Sequence, residues 1–160
     1  MVMDRERRLR ELPIGVQDFV AMRRDGMLYV DKTARLLELV TNGRRYFLSR
    51  PRRFGKSLTL STLDALFSGK AELFKGLAAE EWAKKQAEHP SPVLRFDISS
   101  LQAYASAEAL DRAIILRLRE FADNHEISLT VGEDEHCGEI FRRIILALFK
   151  RGGPVVVLID

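Results

Sequence analysis

A single cysteine, Cys137, occurs in the 160 residues, so no internal disulfide can brace this fold and a reducing compartment is expected. No apolar run approaches the ~18 residues that a membrane span needs. The opening residues MVMDRERRLRE contain no apolar stretch of the kind a signal peptide requires. Together these absences predict a cytoplasmic protein with no membrane partner. Internal repeats and low-complexity tracts are also missing, so the chain reads as one continuous set of alternating elements. Histidine is scarce: His89 and His125 stand in polar surroundings, and Cys137 beside His136 lacks the spacing of a metal site or a nucleophile pair.

What is there is enough for a core. Hydrophobic residues make up 46% and charged residues 31% of an 18.3 kDa chain, the balance of one globular domain. The net charge is +3, with the excess gathered in Arg23 and Arg24, Arg44 and Arg45, and Arg50, Arg52 and Arg53. Basicity this mild fits a mixed solvated surface and is weak grounds for a nucleic-acid partner.

Along the chain the pattern alternates between the two periods of regular structure. A basic head, residues 1 to 11, precedes a turn at Pro13 and Gly15 and a short helix predicted over Val16 to Arg24. Met27 to Val30 reads as extended, and Asp31 as the N-cap of a helix whose apolar face is Leu36, Leu37 and Val40. Arg45 to Ser49 is predicted as a strand. After the loop that follows, Leu58, Leu60, Leu63, Leu66 and Phe67 recur at helical spacing up to Gly69. Residues 71 to 89 read as one or two helices, and Val93 to Ile98 as a second strand.

Two amphipathic helices follow, one with Leu110, Ile114, Ile115, Leu118 and Phe121 along its face, the other with Ile140, Phe141, Ile144, Ile145, Leu148 and Phe149. Glu133, Asp134 and Glu135 precede the second of these, where negative charge complements the helix dipole. The closing GGPVVVLID places five apolar residues, Val155 to Ile159, before Asp160, a run expected to form a strand buried on both faces of a parallel sheet. Such a strand needs neighbours, so the chain is expected to be a fragment of a longer polypeptide.

The chemistry lies in SRPRRFGKSL, residues 49 to 58. Gly55, Lys56 and Ser57 form the close of the phosphate-loop pattern GxxxxGK[ST], while Arg50 occupies the place of its first glycine. Triphosphate binding needs N–H donors, a cation and a magnesium ligand in one place. Backbone N–H groups from Arg53 to Ser57 supply donors, Lys56 reaches the β- and γ-phosphates, and the Ser57 hydroxyl suits Mg²⁺. The first glycine serves a turn out of the strand, and Pro51 restricts that bend in another way. The second requirement is an acidic residue on a neighbouring strand to hold the hydrated magnesium, and Asp160 ends one. Lys56 and Asp160 are therefore the catalytic candidates, Ser57 and Asp160 the metal candidates, and Pro51, Arg52, Arg53, Phe54, Gly55, Lys56, Ser57 and Leu58 the nucleotide-binding stretch.

The stretches LPIGVQDF, YVDKT, FLSRPRRFGKSL, ALF, FKGL and VVVLID resemble the bacterial AAA-ATPase-like family that often precedes a restriction-endonuclease-like PD-(D/E)XK domain. More distantly the chain is similar to archaeal ATPases whose loop reads GPRRxGKT, with glycine in the place of Arg50. The resemblance implies a three-layer P-loop fold with a mostly parallel sheet, truncated after the Walker B strand, and binding of ATP and Mg²⁺. It implies a lead-in over residues 1–43 and a partial ATPase core over 44–160, with the Walker A loop at 50–57 and the Walker B strand at 154–160. In such ATPases a glutamate follows the Walker B aspartate and polarises the attacking water. That position lies beyond Asp160, so nucleotide binding carries over and hydrolysis does not. By the same analogy Tyr29 to Thr33 border the base, whereas local chemistry has Asp31 and Thr33 start a helix. The partners implied are a nucleotide, a nuclease-like domain and further copies in an oligomer. The alternative is a nucleic-acid-binding or regulatory module that keeps the scaffold and turns its arginines to a polynucleotide; a third is an interaction module whose unfinished sheet another chain completes.

Overall fold

The computed structural model describes residues 10–51, 53–97, 106–132, 135–151 and 153–160. The basic head up to residue 9, Arg52, Ile98, Glu133 and Asp134 lie outside the described residues. The chain divides into two compact units, Met1–His89 and Pro90–Asp160.

The first unit is helical. Helix α1 spans Phe19–Arg24, shorter than the predicted Val16 to Arg24 because the Asp18 carboxylate caps it, accepting the N–H of Ala21 at 2.8 Å. Met27 to Val30 is extended without a strand, tied by the N–H of Leu28 to the carbonyl of Glu11. Helix α2 covers Thr33–Asn42; Lys32 is at its N-cap position, and Asp31, one place earlier, takes the N–H of Thr33. Helix α3 runs Lys56–Phe67, followed by a single 3-10 turn at Ala71–Phe74 and helix α4 at Glu80–Glu88. Phe19, Met22, Leu63, Ala65, Leu66, Leu73, Phe74, Ala79 and Ala83 are buried among these elements. Phe19 meets Phe74 at 4.9 Å and Tyr29 edge-on at 5.1 Å, and Phe67 meets Trp82 edge-on at 5.6 Å.

The expected strand over Arg45 to Ser49 is absent: these residues form neither helix nor strand. A strand is held by a hydrogen-bonded neighbour, and here the Tyr46 hydroxyl turns back to the carbonyl of Leu39 while Phe47 is 93% exposed. Gly43 leaves room for that ring, since a Cβ there would sit 2.5 Å from the Tyr46 hydroxyl.

The second unit joins a small parallel sheet to two helices. Strand β1, Val93–Phe96, pairs in parallel with β2, Val156–Ile159, in the register Val93 to Val156 through Phe96 to Ile159. Between them run α5, Ala107–Asn124, and α6, Cys137–Lys150, as a parallel pairing requires a long crossover. Ser106 caps α5 by accepting the N–H of Ala109. Leu94, Leu118, Ala122, Ile127, Ile140, Ile144 and Leu148 form the core. The predicted apolar faces are thus largely confirmed, but Leu110 is 37% and Phe149 66% exposed.

Strand β2 also departs from expectation. Leu158 is buried, whereas Val157 is 37% and Ile159 57% exposed, because the described sheet has two strands and leaves those side chains without a covering layer. Among the described residues no helix is long and apolar enough to cross a membrane.

Candidate functional site

At the start of α3 the backbone takes an unusual path. Arg53 has φ 66°, and Gly55, at the N-cap position, has φ 74° and ψ 27°, so two left-handed residues flank Phe54. Glycine occupies that region without penalty, whereas an arginine there is strained by about 1 kcal/mol or more. No Cβ clash at Gly55 demands its smallness; the demand is conformational.

Having no side chain, Gly55 cannot cap the helix, and no side-chain cap is present there. The first intrahelical bond brings the N–H of Thr59 to the Gly55 carbonyl at 2.9 Å. The amides of Lys56, Ser57 and Leu58 precede it and by helix geometry have no intrahelical acceptor. They point out of the positive end of the helix, where an anion is favoured. Lys56 and Ser57, both half-buried, occupy this first turn, while Pro51, Arg53 and Phe54 are exposed. The structure thus brings Arg53, Phe54, Gly55, Lys56, Ser57 and Leu58 into one loop-to-helix junction. Leu58 is half-buried, its carbonyl accepting the Thr62 hydroxyl at 2.8 Å.

The stretches QDF and YVDKT are used inside the first unit. The Ser61 hydroxyl donates to Asp18 Oδ2 at 2.8 Å and accepts the N–H of Phe19 at 2.9 Å. Burial raises the Tyr29 phenol above its usual range, against a hydrogen bond with the Thr62 side chain. Asp31 accepts the Thr33 hydroxyl at 2.7 Å and the N–H of Ala78 at 2.8 Å, and Thr33 accepts the N–H of Ala79 at 3.0 Å. Desolvation pushes the Asp31 carboxyl up, but the N–H of Ala78 and the two Thr33 bonds outweigh it and hold the group below the usual carboxylate range. Arg23 donates to the carbonyls of Leu73 and Lys75, each at 2.7 Å. The polar groups of Asp31 and Thr33 are therefore spent on structure, the local alternative to a contact with the base.

Asp160 lies in the second unit. Its N–H donates to the Phe96 carbonyl at 2.9 Å, so it continues the parallel ladder at the carboxyl edge of the sheet, half-buried. Open parallel sheets bind ligands at this edge. Glu135, ahead of α6, is engaged: Arg143 at 2.7 Å, with the N–H of Gly132, holds its carboxyl below the usual range. Among the described residues no group of three or more His, Cys, Asp or Glu side chains could hold a metal ion.

A family model described as "Predicted AAA-ATPase" matches residues 13–160. The chain belongs to that family. This AAA-ATPase-like chain is 40% identical over 158 residues to an "Uncharacterized protein in vnfD 5'region" of Azotobacter chroococcum mcd 1. The match covers 94% of the AAA-ATPase-like chain and 28% of that relative's length. No solved structure matches it significantly.

Sequence reasoning missed the ring formed by Asp18, Phe19 and Ser61 and the clasp of Thr33 on Ala79. A signal was present in two consecutive hydroxyls, Ser61 and Thr62, inside the most apolar part of α3. Both are buried, and a helix places hydroxyls at buried positions where they have partners.

Proposed function

We propose that this domain binds Mg·ATP at the loop leading into α3 and acts, within a longer polypeptide, as an AAA-like ATPase domain coupled to a neighbouring domain. The observation that carries the reading is the uncapped start of α3, with Gly55 left-handed and Lys56 and Ser57 in the first turn. Membership of the predicted AAA-ATPase family supports nucleotide use. Lys56 offsets phosphate charge, the amides of Phe54, Gly55, Lys56, Ser57 and Leu58 receive phosphate oxygens, and Arg52 and Arg53 are phosphate or interdomain contacts. Of the residues read as magnesium ligands, Ser57 stands in this first turn, and the ion would neutralise charge on the phosphates. A full three-layer P-loop fold belongs to the same reading and needs more strands than the two described. So do a cytoplasmic location, assembly into an oligomer and a nuclease-like partner domain. The chain spans less than a third of the length of its relative, which leaves room for such a domain in that protein.

The test is titration of the folded chain with a fluorescent ATP analogue and Mg²⁺, beside Lys56→Ala. Alanine is a good helix former, so the variant keeps its fold. Saturable binding by the parent and its loss in Lys56→Ala are expected; equal binding by both would remove the assignment.

One observation favours a second reading. Arg44, Arg45, Arg50 and Arg53 are exposed, with the exposed rings of Tyr46 and Phe47 between Arg45 and Arg50 and that of Phe54 next after Arg53. Basic groups interleaved with stacking surfaces suit single-stranded nucleic acid. In that reading binding falls steeply with salt and ignores ATP.

A further inference from the structure

We propose that Asp18 and Ser61 are positioning residues for the phosphate loop, an inference that rests on the Mg·ATP reading above. Ser61 lies one helical turn beyond Ser57 on the same face of α3. Its side chain is 2% exposed and belongs to a closed set of hydrogen bonds. The hydroxyl donates to Asp18 Oδ2 at 2.8 Å, accepts the N–H of Phe19 at 2.9 Å, and the other carboxylate oxygen, Oδ1, takes the N–H of Ala21 at 2.8 Å. One carboxylate thus starts α1 and fixes α3 at the same time.

The arrangement resists both sliding and rotation of α3. Phe19, whose amide is one member of the ring, is fully buried against Phe74 and Tyr29. Thr62, the neighbour of Ser61, is also buried, its hydroxyl donating to the Leu58 carbonyl at 2.8 Å. Among the described residues the buried polar or charged side chains are Thr33, Ser61 and Thr62, so two of the three fall on consecutive positions of the helix that carries Lys56 and Ser57. Apolar side chains would bury those positions as well but would not fix a register. Directional bonds do, because a shift leaves a buried donor or acceptor without its partner. With register and rotation fixed one turn downstream, Lys56 and Ser57 are presented to a triphosphate in one geometry, the preorganisation that binding and phosphoryl chemistry depend on.

Two variants of the full chain test this. Ser61→Ala removes the hydroxyl. Asp18→Asn keeps a side-chain oxygen for the N–H of Ala21 but turns an amide donor toward Ser61, whose own proton then has no acceptor. Affinity for the fluorescent ATP analogue is measured with Mg²⁺ and again with EDTA, at a temperature where circular dichroism shows each protein fully folded. Both variants are expected to bind the Mg²⁺ complex about fivefold or more weakly, since small misplacements of positioned groups are costly. The loss is expected to be smaller in EDTA, because the hydroxyl of Ser57 lies on the displaced face. Parental affinity in both folded variants, even with a lowered melting temperature, would overturn the inference and leave a purely structural ring. Should Ser61→Ala fail to fold, Asp18→Asn, which retains the cap, decides. A parent chain that does not bind Mg·ATP would instead overturn the functional reading, and this inference with it.

Discussion

Thr33 and Ala79 stand 46 positions apart, and the N–H of Ala79 donates to the Thr33 hydroxyl across 3.0 Å in the buried interior of the first unit. The same hydroxyl donates to Asp31. Replacing Thr33 with valine keeps the shape but strands a buried amide, at a cost of about 1–3 kcal/mol. Urea unfolding should place Thr33→Val in that range and Thr33→Ser much nearer the parent, because serine restores both bonds.

The Asp31 carboxyl predicts a loss of stability in acid. Its pKa in the folded chain is lowered from 3.8, so the folded state favours the ionised form. That contribution is complete above the unfolded value and disappears as pH falls from there through the folded one. Melting temperatures recorded between about pH 2 and pH 6 should fall less steeply below about pH 4 for Asp31→Asn than for the parent.

Arg53 holds a left-handed conformation at φ 66°. Glycine accepts it freely and a β-branched residue least of all. Arg53→Gly is therefore expected to be more stable than Arg53→Val by about 1–2 kcal/mol, read as the difference between their unfolding midpoints in urea. Equal midpoints would mean that the loop relaxes out of this conformation.

Cys137 should be a slow nucleophile. Burial, then the hydrogen bond and charge of Asp111, raise its thiol to about 11. The group favours its protonated form in the folded chain, so its contribution to stability is full below its ordinary value of 9.0 and is lost as pH rises through about 11. At pH 8 its alkylation by iodoacetamide is expected to be at least about tenfold slower in the folded chain than in urea, since thiolate is the reactive form. Mass spectrometry of the modified chain gives both rates.

Much of the helical structure was legible locally. Helices α3, α5 and α6 appear where apolar residues recur at helical spacing, because one face of each had to be buried. The strands Val93–Phe96 and Val156–Ile159 appear within their apolar runs. Lys56 and Ser57 were expected in the first turn of a helix, and they are there, since glycine ahead of an apolar periodicity marks a start. The segment around Phe47 misled because its composition suits a strand, while a strand also needs a partner that composition does not contain.

The sequence by itself determined the periodic helices, the placing of a GKS close at a helix start and the membership of a family, all properties of neighbouring residues. Only the tertiary structure decided what Asp18, Asp31, Thr33 and Ser61 do. Ser61 meets Asp18 from 43 positions away, and Ala78 meets Asp31 from 47. No local rule foresees such pairings, because a hydroxyl or carboxylate that is solvated, capping or buried looks the same in sequence until packing selects its partner and excludes water.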